Sequence, residues 1–287
     1  MKAWLVASRL LAASAILLSI SPISAAAQVE TATASSDIGA HTAPNRPLTA
    51  AEATAQREIE GARRRLLRDP DDAGHQHDVL VADRVLGDLF FSGGDLVRAR
   101  QAYALLLEDA RRYAANYPRT LACQVEISVA EEKIGDVMMA QGDLAAARTA
   151  YEDDLSIARR LFAASDTMPS LDPRRTKRFN ELYVSISLQK VGDVLAAQGD
   201  LAGARSNYSE ALSIARRLAL ASPNDREIQR DLAVYLWHLA EFGGASVGWA
   251  DVVTQLETMA AKHMITQDNQ NWLPEAKRRA AALGART

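Results

Sequence analysis

One feature constrains this chain more than any other: it is an internal copy of itself. The tetrapeptides Leu86-Gly87-Asp88-Leu89, Ile134-Gly135-Asp136-Val137 and Val191-Gly192-Asp193-Val194 start 48 and 57 residues apart. Eight residues after each start comes a Gly-Asp-Leu turn, at Gly94-Asp95-Leu96, Gly142-Asp143-Leu144 and Gly199-Asp200-Leu201. Residues 134–163 and 191–220 align without gaps at 19 identities in 30. Duplication at such a period predicts units that cannot bury their own apolar sides and must stack on one another. Ala, Leu and Arg recur, whereas Gly (15) and Pro (9) are sparse, so those units are helical.

The chemistry of one unit follows from its residues. A first helix ends near Ser92, Gln141 or Gln198. The turn glycine then takes the left-handed conformation that closes a helix, and the aspartate after it caps the next helix. Small Gly87, Gly135 and Gly192 let a neighbouring helix approach. Ala99, Ala147 and Ala204 do the same in the second helix, and Tyr103, Tyr151 and Tyr208, four residues on, fill the gap. With the proline that follows, these residues resemble the tetratricopeptide repeat, in a bacterial exported type with a long unit of about 48 residues instead of about 34. The resemblance implies an all-α fold, a right-handed α-solenoid of antiparallel helix pairs. Repeats are expected at about 77–118, 125–165, 180–223 and 228–262. A half-repeat over 50–68 precedes them, aligned by the 153-residue offset between Ala62-Arg63-Arg64 and Ala215-Arg216-Arg217. A capping helix over 266–284 follows, with Trp272 and Leu273 covering the last apolar face and Lys277, Arg278 and Arg279 suited to a helix end. Asp166 to Pro173 reads as a surface loop between units.

The start of the chain reads as an address. Lys2 and Arg9 precede eighteen uncharged residues, Leu10 to Ala27, which contain Pro22 and end in Ala25-Ala26-Ala27. That pattern predicts a signal peptide cut after Ala27 and a periplasmic or secreted protein; an uncleaved inner-membrane anchor is the alternative. Residues 28–48 are Ala, Thr, Ser and Pro without apolar periodicity and read as a flexible leader. Order is expected from Thr49, where Thr49-Ala50-Ala51-Glu52 is a capping box.

Charge and motifs narrow the function. Lys+Arg total 33 against Asp+Glu 36, a net −3, and loss of Lys2 and Arg9 takes it to −5; nucleic acid is not an expected partner. The single Cys123 excludes an intrachain disulfide and a cysteine-based zinc site, and reads as a small buried side chain. No nucleophile elbow, phosphate loop or dinucleotide fingerprint occurs. His75 and His77 are spaced by two, which is wrong for metal ligands on a helix, and read as a solvated helix start. His238 reads as a partly buried contact, and His41 and His263 have no evident partner. Asp71-Asp72 and Asp153-Asp154 are adjacent pairs that do not face each other on a helix. Neither enzyme activity nor a metal, nor a small-molecule cofactor, is expected, and a membrane is expected only through an uncleaved signal.

In the family resembled, first helices line a concave groove that holds ligands. The groove candidates here are Arg84, Asp88, Phe91, Glu132, Asp136, Met139, Gln189, Asp193, Trp237 and Glu241. The acid after each glycine (Asp88, Asp136, Asp193, with Glu241 in the corresponding place) would form a row favouring basic partners. The other reading pairs the acids within their own helices, with Arg84, Lys133 and Lys190. The expected function is an exported, non-enzymatic scaffold or adaptor for a protein or peptide. A self-assembling envelope subunit is the alternative, motivated by Trp249 and Trp272 as exposed side chains.

Overall fold

A computed structural model describes residues 46–117, 121–167, 173–242 and 247–284. The expected signal peptide, the expected leader up to residue 45, residues 168–172 of the expected interrupting loop and residues 243–246 lie outside the described residues. Among the described residues ten α-helices follow one another: α1 Ala50–Arg68, α2 Ala73–Ser92, α3 Leu96–Asn116, α4 Leu121–Gln141, α5 Leu144–Ala164, α6 Pro173–Ala197, α7 Leu201–Ala221, α8 Arg226–Glu241, α9 Trp249–Ala261 and α10 Trp272–Gly284. No strand occurs among the described residues, and none of their helices is long and apolar enough to cross a membrane. The expected all-α architecture of consecutive helix pairs, an α-solenoid organisation, is what the chain adopts. The residues group into two compact units, divided inside α5 between Leu161 and Phe162.

The helix ends are set by the turn chemistry. Gly94, Gly142 and Gly199 have φ of +75°, +78° and +83°. A side chain would be strained there, which is why glycine recurs. Asp95, Asp143 and Asp200 accept from the backbone N–H of Arg98, Ala146 and Gly203. Thr49 accepts from the Glu52 N–H at 3.2 Å while the Glu52 carboxylate accepts from the Thr49 N–H at 2.7 Å, completing the capping box.

The three residues before Thr49 are tied down as well. The Arg46 guanidinium donates to both Glu52 carboxylate oxygens, with Nη1–Oε2 at 2.9 Å, and its Nε lies 3.7 Å from Asp95. Arg98 Nη2 donates back to the Arg46 carbonyl at 2.6 Å. Composition marked 46–48 as leader; a charge partnership more than forty residues away in sequence, invisible to composition, fixes them. Pro173, expected in the loop, is instead the first residue of α6, where its missing N–H costs nothing.

In the first unit α2 packs with α1 and α3, and α3 with α4. In the second, α6 packs with α7, α7 with α8, α8 with α9 and α9 with α10. Every side chain of α8 from Asp231 to Ala240 is buried, so this helix is the core of the second unit.

Candidate functional site

The glycine–tyrosine prediction holds atom by atom. A Cβ placed on Gly87 would lie 2.3 Å from the Tyr103 ring, on Gly135 2.4 Å from Tyr151, and on Gly192 2.7 Å from Tyr208. Each ring therefore occupies the space that any other residue's side chain would need. All three tyrosines are buried, and Ala99, Ala147 and Ala204 are fully buried beside them.

The acidic row turns inward to those same tyrosines. Tyr103 donates its hydroxyl to Asp88 at 2.7 Å, Tyr151 to Asp136 at 2.8 Å and Tyr208 to Asp193 at 2.6 Å. Burial and the carboxylate push the Tyr103 and Tyr208 phenols far above their ordinary range, so both remain donors. Each hairpin is thus latched twice, by a ring under a glycine and by a hydroxyl on the next residue's carboxylate. The constant offset of fifteen between Asp and Tyr carried this signal in the sequence, where it went unread. Replacing Tyr103 by Phe is expected to cost about 1 kcal/mol. A Tyr103→Phe/Asp88→Asn double-mutant cycle in urea should recover most of that as coupling energy; additive effects would show that the bond contributes nothing.

Cations also reach the row, across hairpins. Lys133 Nζ lies 3.2 Å from Asp88, on the preceding hairpin, a tie between units of the repeat that the within-helix reading did not include. A lysine side chain is long enough to span neighbouring first helices, and there it meets a carboxylate already oriented by tyrosine. In the second unit His238 stands at the corresponding position: its ring stacks on Tyr208 (4.5 Å, 4°) with Nε2 3.8 Å from Asp193. Arg84 acts on Glu126 and His77 of the α2–α4 contact. Glu241 accepts from Trp237 Nε1 at 3.0 Å and from Arg279 at 2.9 Å.

Nine of the ten groove candidates (Arg84, Asp88, Phe91, Glu132, Asp136, Met139, Gln189, Asp193, Glu241) are partly exposed. Trp237 is not: its exposure is 0%, with Trp249 edge-on at 4.9 Å and Trp272 at 6.4 Å. It is a core residue, because α9 and α10 close over it. Trp249 and Trp272 are likewise buried, which removes the exposed tryptophans that motivated self-assembly. Arg279, expected to serve a helix end, lies inside α10 with its guanidinium over the Trp249 and Trp237 rings at 4.8 and 5.4 Å. There the ring quadrupoles and the carboxylates of Glu275 (2.8 Å) and Glu241 (2.9 Å) hold it.

The histidine pair separates. His77 is buried with Nδ1 3.7 Å from Glu126, not solvated; burial lowers the affinity of the imidazole for a proton and raises that of the carboxyl. His75 stays at the helix start, where it joins Asp69 and Asp72 in a group whose ligand atoms lie within 4.8 Å of one another. Asp72 in that group already caps α2 through the His75 N–H. Cys123 is buried and free, its thiol pushed up to about 11 by desolvation.

Two further ties were missed in the sequence. Arg63 of α1 reaches Asp83 of α2, and Arg111 of α3 reaches Glu131 of α4, both at 3.0 Å and both twenty residues apart. The recurring Ala-Arg-Arg triplet carried that signal.

No family model matches the chain, and no curated protein matches it. Among solved structures it is similar to the crystal structure of BtubC (BKLC) from P. vanneervenii, at 18% identity and a TM-score of 0.44, over 83% of this chain and 93% of that one.

Proposed function

We propose that this protein is an exported adaptor of the tetratricopeptide type, without catalytic activity, that holds a protein or peptide against its first helices. The supporting observation is the equivalence of α2 and α4. Each hairpin uses its Gly, Asp and Tyr to fix the first helix on the second, and leaves Phe91 and Met139, 48 residues apart, partly exposed at the same turn of the unit. Regularly spaced, rigidly backed side chains are what a repeat offers an extended ligand. The acids beside them are partly engaged by tyrosine and lysine, so contact area rather than an unpaired carboxylate row supplies the affinity.

The test places a photo-crosslinking residue at Phe91, at Met139 and, as control, at Leu105 on α3, which is 48% exposed. The same adduct from the first two positions, and none from the third, is the expected result in intact cell envelopes. Absence of adducts above background at every salt concentration, or adducts from Leu105 alone, would overturn the reading.

A further inference from the structure

The first helix is fastened by an ionic node of unusual composition. Arg63 Nη2 of α1 donates to Asp83 of α2 (3.0 Å) and to Asp109 of α3 (2.9 Å). One guanidinium therefore faces two carboxylates, and Asp83 is only 2% exposed. Both carboxylates therefore meet at one guanidinium nitrogen, and protonation of the desolvated Asp83 relieves its repulsion with Asp109.

We propose that the Arg63–Asp83–Asp109 node is a proton-dependent fastener, holding α1 on the first hairpin when Asp83 is protonated and loosening it when Asp83 is ionised beside Asp109. What α1 covers gives this its consequence. Its buried Ala55, Ile59 and Ala62 pack on α2, so opening it uncovers the apolar flank of the first hairpin.

The charged surroundings are all assigned. On α3, Arg112 holds the other Asp109 oxygen at 3.1 Å and also binds Glu108 at 2.8 Å. On α4, Glu126 faces His77 and Arg84, and Glu131 is taken by Arg111. On α1, Arg65 pairs with the exposed Asp78.

Desolvation first, and Asp109 with it, raise the Asp83 carboxyl from 3.8 to about 6 in spite of Arg63. The docked form thus binds the proton more tightly than the open form. Docking weakens as pH rises from the ordinary aspartate range to about 6 and is level above that. A second fastener has the opposite sign: hydrogen bonding from Arg46 lowers Glu52 from 4.5 to about 2, and that contribution is lost as pH falls through this window. Docking of α1 is therefore strongest between the two windows, near pH 4 to 5.

Hydrogen exchange of the full chain, corrected for the chemical pH dependence of exchange and referenced to α3, tests this. Protection of residues 50–68 should fall about tenfold between pH 5 and 7.5, and Asp83→Asn, which mimics the protonated form, should flatten that dependence. A fall shared equally by α3, or one that survives in Asp83→Asn, overturns the proposal. Should Asp83→Asn fail to fold, carboxyl NMR of the unaltered chain decides: a raised Asp83 midpoint supports the fastener, and an ordinary aspartate midpoint sinks it. The binding reading is untouched either way, because Phe91 and Met139 lie outside the node.

Discussion

Gly135→Ala is expected to destabilise the first unit by about 2 kcal/mol, although alanine is the better helix former. The added methyl would sit 2.4 and 2.5 Å from Tyr151 Cε1 and Cδ1, inside van der Waals contact with a ring that is 2% exposed. The ring cannot swing aside without breaking its hydroxyl bond to Asp136. Overpacking of this kind costs about 1–3 kcal/mol, occasionally more, and the helical gain of Ala over Gly offsets about 1. Gly61→Ala provides the contrast: its methyl would meet nothing nearer than Arg65 Nη1 at 3.7 Å, so stability should rise by about 0.5–1 kcal/mol. Urea denaturation of both variants reads the two signs directly. A neutral or stabilising Gly135→Ala would mean that glycine serves nothing at that position.

Trp237→Ala is expected to have the largest effect of any single change in the second unit, about 3–5 kcal/mol. The ring is wholly buried and touches three side chains on two further helices: Trp249 of α9, and Trp272 and Arg279 of α10. Its removal leaves a cavity beneath the terminal helices and strips Arg279 of one of its two aromatic faces. It also frees Glu241 of the indole N–H. Thermal unfolding followed by indole fluorescence should show the second unit melting well below its unaltered temperature. Were Trp237 a contact residue on a groove, the substitution would leave stability within about 0.5 kcal/mol. These expectations separate cleanly.

The hairpin was legible because its signals are local. A glycine with positive φ, an aspartate cap and a capping box are decided within four residues of chain, and all stand where the sequence put them. The packing of Gly87 on Tyr103 was legible for another reason: it repeats at a constant offset. The groove list was less so. Partial exposure of Arg84, Asp88, Phe91, Glu132, Asp136, Met139, Gln189, Asp193 and Glu241 agrees with a surface role, but Trp237 shares their register and is buried. Register places a residue on a helix face. Whether that face is covered depends on what comes later in the chain, here α9 and α10.

By itself, then, the sequence determined the helical hairpin, its turns and the glycine, alanine and tyrosine that close it, because each rests on backbone geometry or on spacing within a single unit. Only the tertiary structure decided where the charges go. Lys133 answers to Asp88 on the neighbouring hairpin, Arg63 to a pair of carboxyls on two different helices, and Arg279 to the faces of two tryptophans. A long cationic side chain can reach many partners within its span. Which one it meets is set by how helices pack, and the partners lie from about twenty to more than forty residues apart in the chain.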